Sequence, residues 1–208
     1  MGILPFSPME FLMAHLYLMR HGCLLPNPER RFIGQSNVPL SPKGRKQALF
    51  WREELSAIPF CRALCSDLTR CVETASIILE GRNVALETHP ALRELHLGAW
   101  EGLTKAEVEA RFPCAWEARG RDFWNYVPHG GESFAMLERR ILPVLESLLS
   151  CAGEGDSILL VAHAAVNRAI LRRWLALPVS DIFLLSPQYG SCAILDFSPQ
   201  ERDWFSLP

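Results

Sequence analysis

Two histidines follow short apolar runs that lie far apart in the sequence. The run LYLM (16–19) leads into Arg20 and His21, and the run ILLVA (158–162) leads directly into His163. Continuous apolar runs of this length are typical of strands buried on both faces of a parallel sheet. Ligands in open α/β sheets bind beyond the carboxyl ends of the strands. If the two strands are neighbours, both imidazoles converge on one site; taken singly, each histidine could simply be a satisfied strand-end residue.

The residues near these histidines indicate that the bound group is a phosphate. The guanidinium of Arg20 can bind phosphate through two parallel N–H donors, and it stays charged at any working pH. Gly22 would leave room for a ligand or for a tight turn. Arg70 falls in the first turn of a predicted helix, where the helix dipole disfavours a cation unless an anion shares the site. A solvated surface arginine is the alternative interpretation of Arg70.

A neutral histidine beside a phosphate can act as the nucleophile. It would attack phosphorus and form a phosphohistidine, while nearby cations stabilise the charge on the equatorial oxygens. The departing alkoxide then needs a proton. Glu94, in the segment LRELHLGAWEG, lies in a loop setting that suits a general acid. Glu101 is the rival for this role, and an ordinary surface glutamate is the third interpretation.

The local pattern predicts the elements that would position these residues. Besides the two apolar runs, strands are predicted at RALCS (62–66) and SCAILDF (191–197). Helices are predicted from Pro42 to about Leu55 behind a Ser41 N-cap, from a Ser66 cap to Gly81, from about Glu132 to Leu149 with a bend at Pro143, and from Val166 to Leu175. Strands that alternate with helices indicate an α/β fold.

The segment before the third predicted helix is rich in aromatic residues. Residues 107–112 have a helical pattern, whereas residues 113–131 carry several aromatic side chains and few regular signals. An excursion over the sheet edge of this kind suits a substrate lid. Its aromatic side chains could stack on a ring-bearing substrate, but burial in a core is the commoner use of such residues. They are therefore left out of the predicted site.

Composition and charge exclude several classes of protein. A chain of 208 residues with 49% hydrophobic and 21% charged residues is typical of one folded domain, here 1–208. A net charge of −2, without long basic runs, argues against a nucleic-acid partner. The seven cysteines show no C-x-x-C pair and no zinc-ligand spacing, which indicates reduced thiols in a cytoplasm and no metal site. No apolar run reaches the roughly 18 residues that suggest a membrane span.

Four blocks of sequence carry a resemblance to a known family. In order they are LYLMRHG, SDLTRCVETA, LRELHLGAWEGLT and VAHAAVNR, and together they resemble the histidine phosphatase superfamily, also called phosphoglycerate mutase-like. The resemblance implies a three-layer α/β/α sandwich around a mostly parallel sheet, with a largely helical, lid-like insertion at about 99–131. The phrase LGAWEGLT and the short chain look more like the branch of small phosphatases that includes α-ribazole phosphatase than like the longer mutases.

The resemblance also implies roles for particular residues. His21 would be the phosphorylated nucleophile, and Glu94 would be the proton donor and then the base that activates water. The phosphate pocket would consist of Arg20, Arg70 and His163. Asn27 occupies a family position at which an asparagine commonly helps to bind the phosphoryl group. Cys23 and Leu24 depart from the family pattern, because polar residues are usual at these two positions.

Three functions are compatible with these residues. The leading hypothesis is a metal-independent phosphomonoesterase that needs no cofactor and acts on a small-molecule phosphate ester. Transfer of the phosphoglycerate mutase type and a non-catalytic phospho-ligand binding module are the alternatives. The physiological substrate and the oligomeric state, including a homodimer, stay open.

Overall fold

The computed structural model describes residues 13–199, and five strands in this range form one sheet. The strands are β1 (Ala14–Arg20), β2 (Phe60–Cys65), β3 (Leu86–Thr88), β4 (Ser157–Ala162) and β5 (Cys192–Phe197). Their order across the sheet is β3-β2-β4-β1-β5. All neighbouring pairs are parallel except β1 and β5, which are antiparallel. The predicted α/β class is confirmed, and each of the four predicted strands is present.

Strand β3 was not predicted, because it lacks a hydrophobic signal. It has three residues and lies at the edge of the sheet, where Glu87 and Thr88 are exposed. An edge strand of this length is defined by its pairing with β2 and not by its own side chains.

Six α-helices pack on the sheet or beside it in the described part of the chain. They are α1 (Pro42–Glu54), α2 (Thr69–Leu79), α3 (Lys105–Arg111), α4 (Ala115–Arg121), α5 (Phe134–Ser150) and α6 (Ala164–Trp174). Leu16 and Leu18 of β1 belong to the core that contains α5 and α6, whereas Tyr17 and Met19 belong to the core with α1 and α2. This alternation along one strand, with helices on both faces, makes a three-layer sandwich. No helix between residues 13 and 199 is long and apolar enough to span a membrane.

The first helix begins where the sequence predicts. The Ser41 hydroxyl accepts a hydrogen bond from the Gly44 N–H at 3.1 Å, and Pro42 occupies the first turn. A side-chain oxygen at this position satisfies one of the free N–H groups at a helix start.

The second helix begins three residues after its predicted cap. The Ser66 hydroxyl accepts from the Leu68 N–H at 3.3 Å, and the helix starts at Thr69. Its cap comes from another part of the chain: Asn37 Oδ1 accepts hydrogen bonds from the Thr69 N–H (3.0 Å) and from the Thr69 hydroxyl (2.7 Å). The prediction that Ser66 caps the helix is therefore wrong, because a distant amide takes that role.

Helix α5 contains Pro143 and nevertheless runs without interruption from Phe134 to Ser150. A proline inside a helix removes one backbone hydrogen bond and usually strains the preceding turn. The helix begins one residue after Ser133, whose side chain caps it through the Met136 N–H at 3.2 Å. The bend expected at Pro143 stays a prediction, since continuity of the helix does not measure the direction of its axis.

The aromatic-rich segment forms a small core of its own. Trp100 is almost fully buried, and it packs with Trp116 and Tyr126 at centroid distances of 6.0 and 5.6 Å. Phe123 and Trp124 instead pack against the core under α5 and α6. Trp100 is therefore a core residue, and the other four aromatic side chains are partly buried against one of these two cores. Helices α3 and α4 both fall within residues 99–131, the segment predicted to be a largely helical insertion.

Candidate active site

Strands β1 and β4 are neighbours in register, and this places the two histidines together. Arg20 pairs with Ala162 at the last register position, so His21 and His163 leave the sheet side by side. The His21 N–H donates to the Ala162 carbonyl at 3.1 Å. The two imidazole centroids are 5.2 Å apart, and both residues are buried. The predicted convergence of the two histidines is therefore observed at the carboxyl end of a parallel strand pair.

His21 is held in one tautomer. Its Nδ1 lies 2.8 Å from the Gly22 carbonyl oxygen. A carbonyl can only accept, so Nδ1 carries the proton and Nε2 keeps its lone pair. Burial, together with the charges of Arg70 and Arg20, lowers the pKa of His21 to about 3. The imidazole is consequently neutral near pH 7, as a nucleophile requires.

The glycine after His21 makes room for helix α1. A Cβ atom at Gly22 would lie 2.5 Å from the Gly44 carbonyl oxygen, and one at Gly44 would lie 2.2 Å from the Cys23 carbonyl oxygen. Two backbones therefore touch at this point, and neither position can carry a side chain. The space predicted for a ligand or a tight turn is instead occupied by the first turn of α1.

Arg70 is buried and bridges three parts of the chain. Its Nε donates to Nδ1 of His163 at 3.2 Å, and its two terminal nitrogens donate to the carbonyls of Ser36 and Gly34, both at 2.6 Å. Only 1% of the residue is exposed, so the alternative of a solvated surface arginine is wrong. A guanidinium has five N–H donors. Two of them have no partner among residues 13–199.

His163 accepts from Arg70 through Nδ1, so its own proton is on Nε2. That nitrogen lies 3.4 Å from Sγ of Cys71. Burial and the charge of Arg70 lower the pKa of His163 well below its usual range. Both imidazoles are therefore neutral, and the positive charge of the site comes from its arginines.

The Glu94 carboxylate lies at the N-terminus of α6, the helix that begins directly after His163. The carboxylate accepts hydrogen bonds from the Leu95 N–H (2.8 Å) and from the Ala165 N–H (3.1 Å). A carboxylate is favoured at a helix N-terminus by the free N–H groups and by the helix dipole. The Ala165 N–H is therefore engaged by Glu94.

Glu101, the rival of Glu94, supports a loop. Its carboxylate accepts from the backbone N–H groups of Gly34 (2.9 Å), Ser36 (3.1 Å) and Gln35 (3.3 Å). Two of these residues provide the carbonyl groups that bind Arg70. Glu101 therefore orients the loop that holds Arg70, and its oxygens are engaged in doing so.

Asn27 is engaged within its own loop. Its Oδ1 accepts from the Arg31 N–H at 2.9 Å, and its Nδ2 donates to the Arg31 carbonyl at 2.7 Å. It lines a cavity of about 450 Å³ together with Leu24, Ile33 and Tyr189. Asn27 thus lines this cavity, while both ends of its amide are bound to Arg31.

Arg20 is held by the loop before β5. Its Nη1 donates to the Pro187 carbonyl at 2.9 Å, and its Cζ lies 3.7 Å from the ring centroid of Tyr189. Its Nε is buried and has no hydrogen-bond partner within residues 13–199. A buried donor without a partner is costly, and an anion bound at the site would satisfy it.

Tyr189 is a residue of the site that the sequence did not single out. It lies 5.4 Å from the His21 ring between centroids and lines the adjoining cavity. Its only local signal is the following Gly190, which has a positive φ of 69°. A turn glycine predicts a loop but not its contact with a strand end far away in sequence.

Comparisons with known proteins were consistent with this geometry. The model of the histidine phosphatase superfamily (branch 1) matches residues 16–207. The chain belongs to the histidine phosphatase superfamily. The resemblance of the four sequence blocks is thereby confirmed, and so is the function of the chain as a phosphatase of this family.

Two relatives illustrate the range of this histidine phosphatase family. The adenosylcobalamin/alpha-ribazole phosphatase of Salmonella typhimurium is 31% identical over 87% of this chain and 89% of its own. The glucosyl-3-phosphoglycerate phosphatase of Mycolicibacterium vanbaalenii is 36% identical over 80% of this chain and 76% of its own. Both names describe phosphatases of small phosphorylated compounds.

Solved structures share the fold of this chain. The alpha-ribazole phosphatase from Shigella flexneri superposes with a TM-score of 0.80 at 25% identity, covering 86% of this chain and 89% of its own. A mycobacterial glucosyl-3-phosphoglycerate phosphatase, solved as a complex with VO3, superposes with a TM-score of 0.76 at 33% identity and covers 86% and 91% of the two chains. The three-layer histidine phosphatase fold is confirmed.

Proposed function

We propose that this chain hydrolyses a small phosphate monoester, without a metal ion, through a phosphohistidine on His21. The observation that carries the proposal is the fixed tautomer of His21. Because Nδ1 is bound to the Gly22 carbonyl, Nε2 is the free lone pair, and the low pKa keeps the ring neutral. A neutral imidazole with one free nitrogen is the form that attacks phosphorus.

The phosphoryl group would be bound by Arg20 and Arg70, and His163 would border it, because its Nδ1 accepts from Arg70 and its Nε2 faces Cys71. The unpartnered Nε of Arg20 and the two remaining N–H donors of Arg70 supply directed hydrogen bonds to its oxygens. Donors that are fixed before the reaction stabilise charge that develops in the transition state without a reorganisation cost. Arg70 is fixed on two carbonyl groups and on His163, so it suits this role.

Glu94 would move the protons. In the first step, Nε2 of His21 forms a bond to phosphorus while the ester P–O bond breaks, and protonated Glu94 donates its proton to the leaving alkoxide. In the second step, the Glu94 carboxylate takes a proton from water, the water oxygen bonds to phosphorus, and the P–N bond breaks to release inorganic phosphate. Its place against α6 beside His163 supports Glu94 over Glu101, whose oxygens hold a loop.

Assays with para-nitrophenyl phosphate in the presence of EDTA test the proposal directly. The wild-type chain should release phosphate, and His21→Ala should abolish release. His15→Ala is the matched control, because His15 lies on the same strand, pairs with Asp196 at the surface and is remote from the site. Brief incubation with labelled substrate should trap an acid-labile, base-stable phosphoenzyme. Turnover without such a species would rule out the nucleophilic histidine.

Transfer of the mutase type is the second candidate. A 2,3-bisphosphoglycerate-dependent phosphoglycerate mutase of Gloeobacter violaceus is 33% identical over 93% of this chain and 90% of its own. A mutase would interconvert phosphoglycerates faster than it hydrolyses them, and a binding module would show neither activity. A panel of sugar phosphates, phosphoglycerates, nucleotides and α-ribazole phosphate would identify the substrate.

The insertion at about 99–131 is proposed as the lid of this site. Glu101, at its base, binds the loop that holds Arg70, so the insertion and the phosphate pocket are mechanically connected. Hydrogen exchange measured with and without orthovanadate should show slower exchange across α3 and α4 when the anion is bound. Unchanged exchange in both helices would contradict a lid.

We also propose a cellular compartment for the protein. All seven cysteines are free thiols in the structure, which supports a reducing compartment such as the cytoplasm. Cell fractionation tests this, and recovery of the chain from an exported fraction would contradict it.

Light scattering coupled to gel filtration would distinguish a monomer from a homodimer.

A further inference from the structure

Tyr189 contacts two residues of the site and has no role in the reaction described above. Its ring centroid lies 3.7 Å from Cζ of Arg20 and 5.4 Å from the His21 ring centroid. The residue comes from the loop before β5 and is 37% exposed. It also lines the cavity that contains Leu24 and Ile33. Tyr189 therefore adjoins both the His21 ring and this cavity.

We propose that Tyr189 is a positioning residue: its ring holds the guanidinium of Arg20 in the orientation that binds phosphate. This proposal rests on the proposed function. The face of an aromatic ring attracts a cation, and a planar guanidinium stacks on such a face. The Pro187 carbonyl binds Nη1 of Arg20 at 2.9 Å. One hydrogen bond leaves a guanidinium free to rotate about that contact, and the ring supplies the second restraint.

The loop that carries Tyr189 is anchored by its backbone. The Tyr189 carbonyl accepts from Nε2 of Gln47 at 2.8 Å, and the Gly190 carbonyl accepts from Nε1 of Trp51 at 2.6 Å. The Gly190 N–H donates to the His21 carbonyl at 3.0 Å. None of these contacts uses the tyrosine ring. Replacing the ring should therefore leave the loop in place and change only what the ring touches.

The unpartnered Nε of Arg20 explains why restraining this side chain should affect phosphate binding. Its Nε is buried without a partner among residues 13–199, so this donor is available to a bound anion. A flexible arginine would lose conformational entropy when it binds phosphate, whereas a stacked one has already lost it. The ring should therefore contribute to the binding of phosphate and of the phosphoryl group during the reaction.

Two substitutions at Tyr189 separate stacking from packing. Tyr189→Phe keeps the aromatic face, and Tyr189→Leu keeps an apolar side chain of moderate size without that face. Titration calorimetry with orthovanadate measures the phosphate site without turnover. We expect Tyr189→Leu to weaken orthovanadate binding roughly tenfold and to raise KM more than it lowers kcat, with Tyr189→Phe close to wild type. Equal loss in both variants would overturn the proposal.

A double-mutant cycle of Tyr189 and Arg20 tests whether the tyrosine ring acts through the Arg20 guanidinium. In an Arg20→Gln background no guanidinium remains to be positioned, so Tyr189→Leu should change kcat/KM little. A full tenfold loss in that background would show that the ring acts independently of Arg20. Phe50→Leu, at an exposed aromatic residue on α1, is the control for loss of an aromatic side chain elsewhere.

Failure of this proposal is distinguishable from failure of the proposed function. If the wild-type chain hydrolyses no ester and traps no phosphoenzyme, the function fails, while orthovanadate binding still compares the Tyr189 variants. If hydrolysis is normal and both variants bind orthovanadate like wild type, only the positioning role fails. Melting temperatures of both Tyr189 variants should match wild type, since the anchors of the loop bind its backbone and not the tyrosine ring.

Discussion

Arg70 donates a hydrogen bond to Nδ1 of His163 at 3.2 Å, across a separation of 93 residues in the chain. This contact joins the start of α2 to the start of α6 at the carboxyl end of the sheet. It also fixes the tautomer of His163 and directs its proton towards Cys71. One buried hydrogen bond therefore orients a guanidinium and an imidazole of the candidate site together.

Arg70→Lys should impair the phosphate pocket severely. A lysine ammonium cannot reproduce the fork that binds the Gly34 and Ser36 carbonyls and His163 at the same time. We expect kcat/KM for para-nitrophenyl phosphate to fall by roughly 10²- to 10³-fold, as for the loss of one preorganised donor. Arg45→Lys is the control, because Arg45 forms an exposed ion pair with Glu73 on the helices outside the site. A loss below about threefold would argue against a role in catalysis.

Glu94→Gln should slow substrates according to their leaving group. Alkyl phosphates need a proton on the departing oxygen, whereas para-nitrophenolate leaves without one. The variant should therefore lose far more activity with an alkyl ester than with para-nitrophenyl phosphate, measured as kcat for each. Glu101→Gln is the matched comparison, since it disturbs the loop that holds Arg70 and should slow both esters to a similar degree. Equal slowing by Glu94→Gln would remove it from the acid role.

The buried His21 should make stability depend on pH. Its pKa is lowered to about 3, below the usual value near 6.5, so the unfolded chain binds this proton first as the pH falls. The stabilising contribution is fully present above about pH 6.5 and is lost between pH 6.5 and 3, at up to about 1.4 kcal/mol per pH unit.

Urea unfolding of wild type and His21→Asn at several pH values tests this dependence. The free energy of unfolding should fall less steeply below pH 6.5 in the variant, because one buried histidine no longer titrates. His15→Gln is the control, since His15 is partly exposed and pairs with Asp196 at the surface. Parallel pH curves for wild type and His21→Asn would contradict the shifted pKa.

Gly22→Ala should destabilise the fold at the site. The new Cβ would lie 2.5 Å from the Gly44 carbonyl oxygen, a backbone atom that cannot move without shifting α1. We expect a loss of about 1–3 kcal/mol or more in the free energy of unfolding, together with loss of activity. Gly120→Ala is the matched control, because no atom lies within 4 Å of its added Cβ. In that helical position alanine should be neutral or slightly stabilising in the same urea experiment.

Local sequence predicted the elements better than their ends and contacts. The runs LYLM in β1 and ILLVA in β4 are continuously apolar because both faces of these strands are buried, so their composition alone predicts them. The cap of α1 was predictable because Ser41 binds an N–H only three residues away. The cap of α2 was not, because its acceptor on Asn37 is 32 residues from Thr69.

The sequence by itself determined that two imidazoles and one guanidinium lie at strand ends, and that a second guanidinium lies in the first turn of a helix. These placements are local, because burial and helix dipoles act over a few neighbouring residues. Only the tertiary structure decided which carboxylate lies at α6, why Gly22 must be glycine, and that Tyr189 covers Arg20. These outcomes depend on hydrogen bonds and close contacts between residues far apart in the chain, and no local pattern records the partner of such a contact.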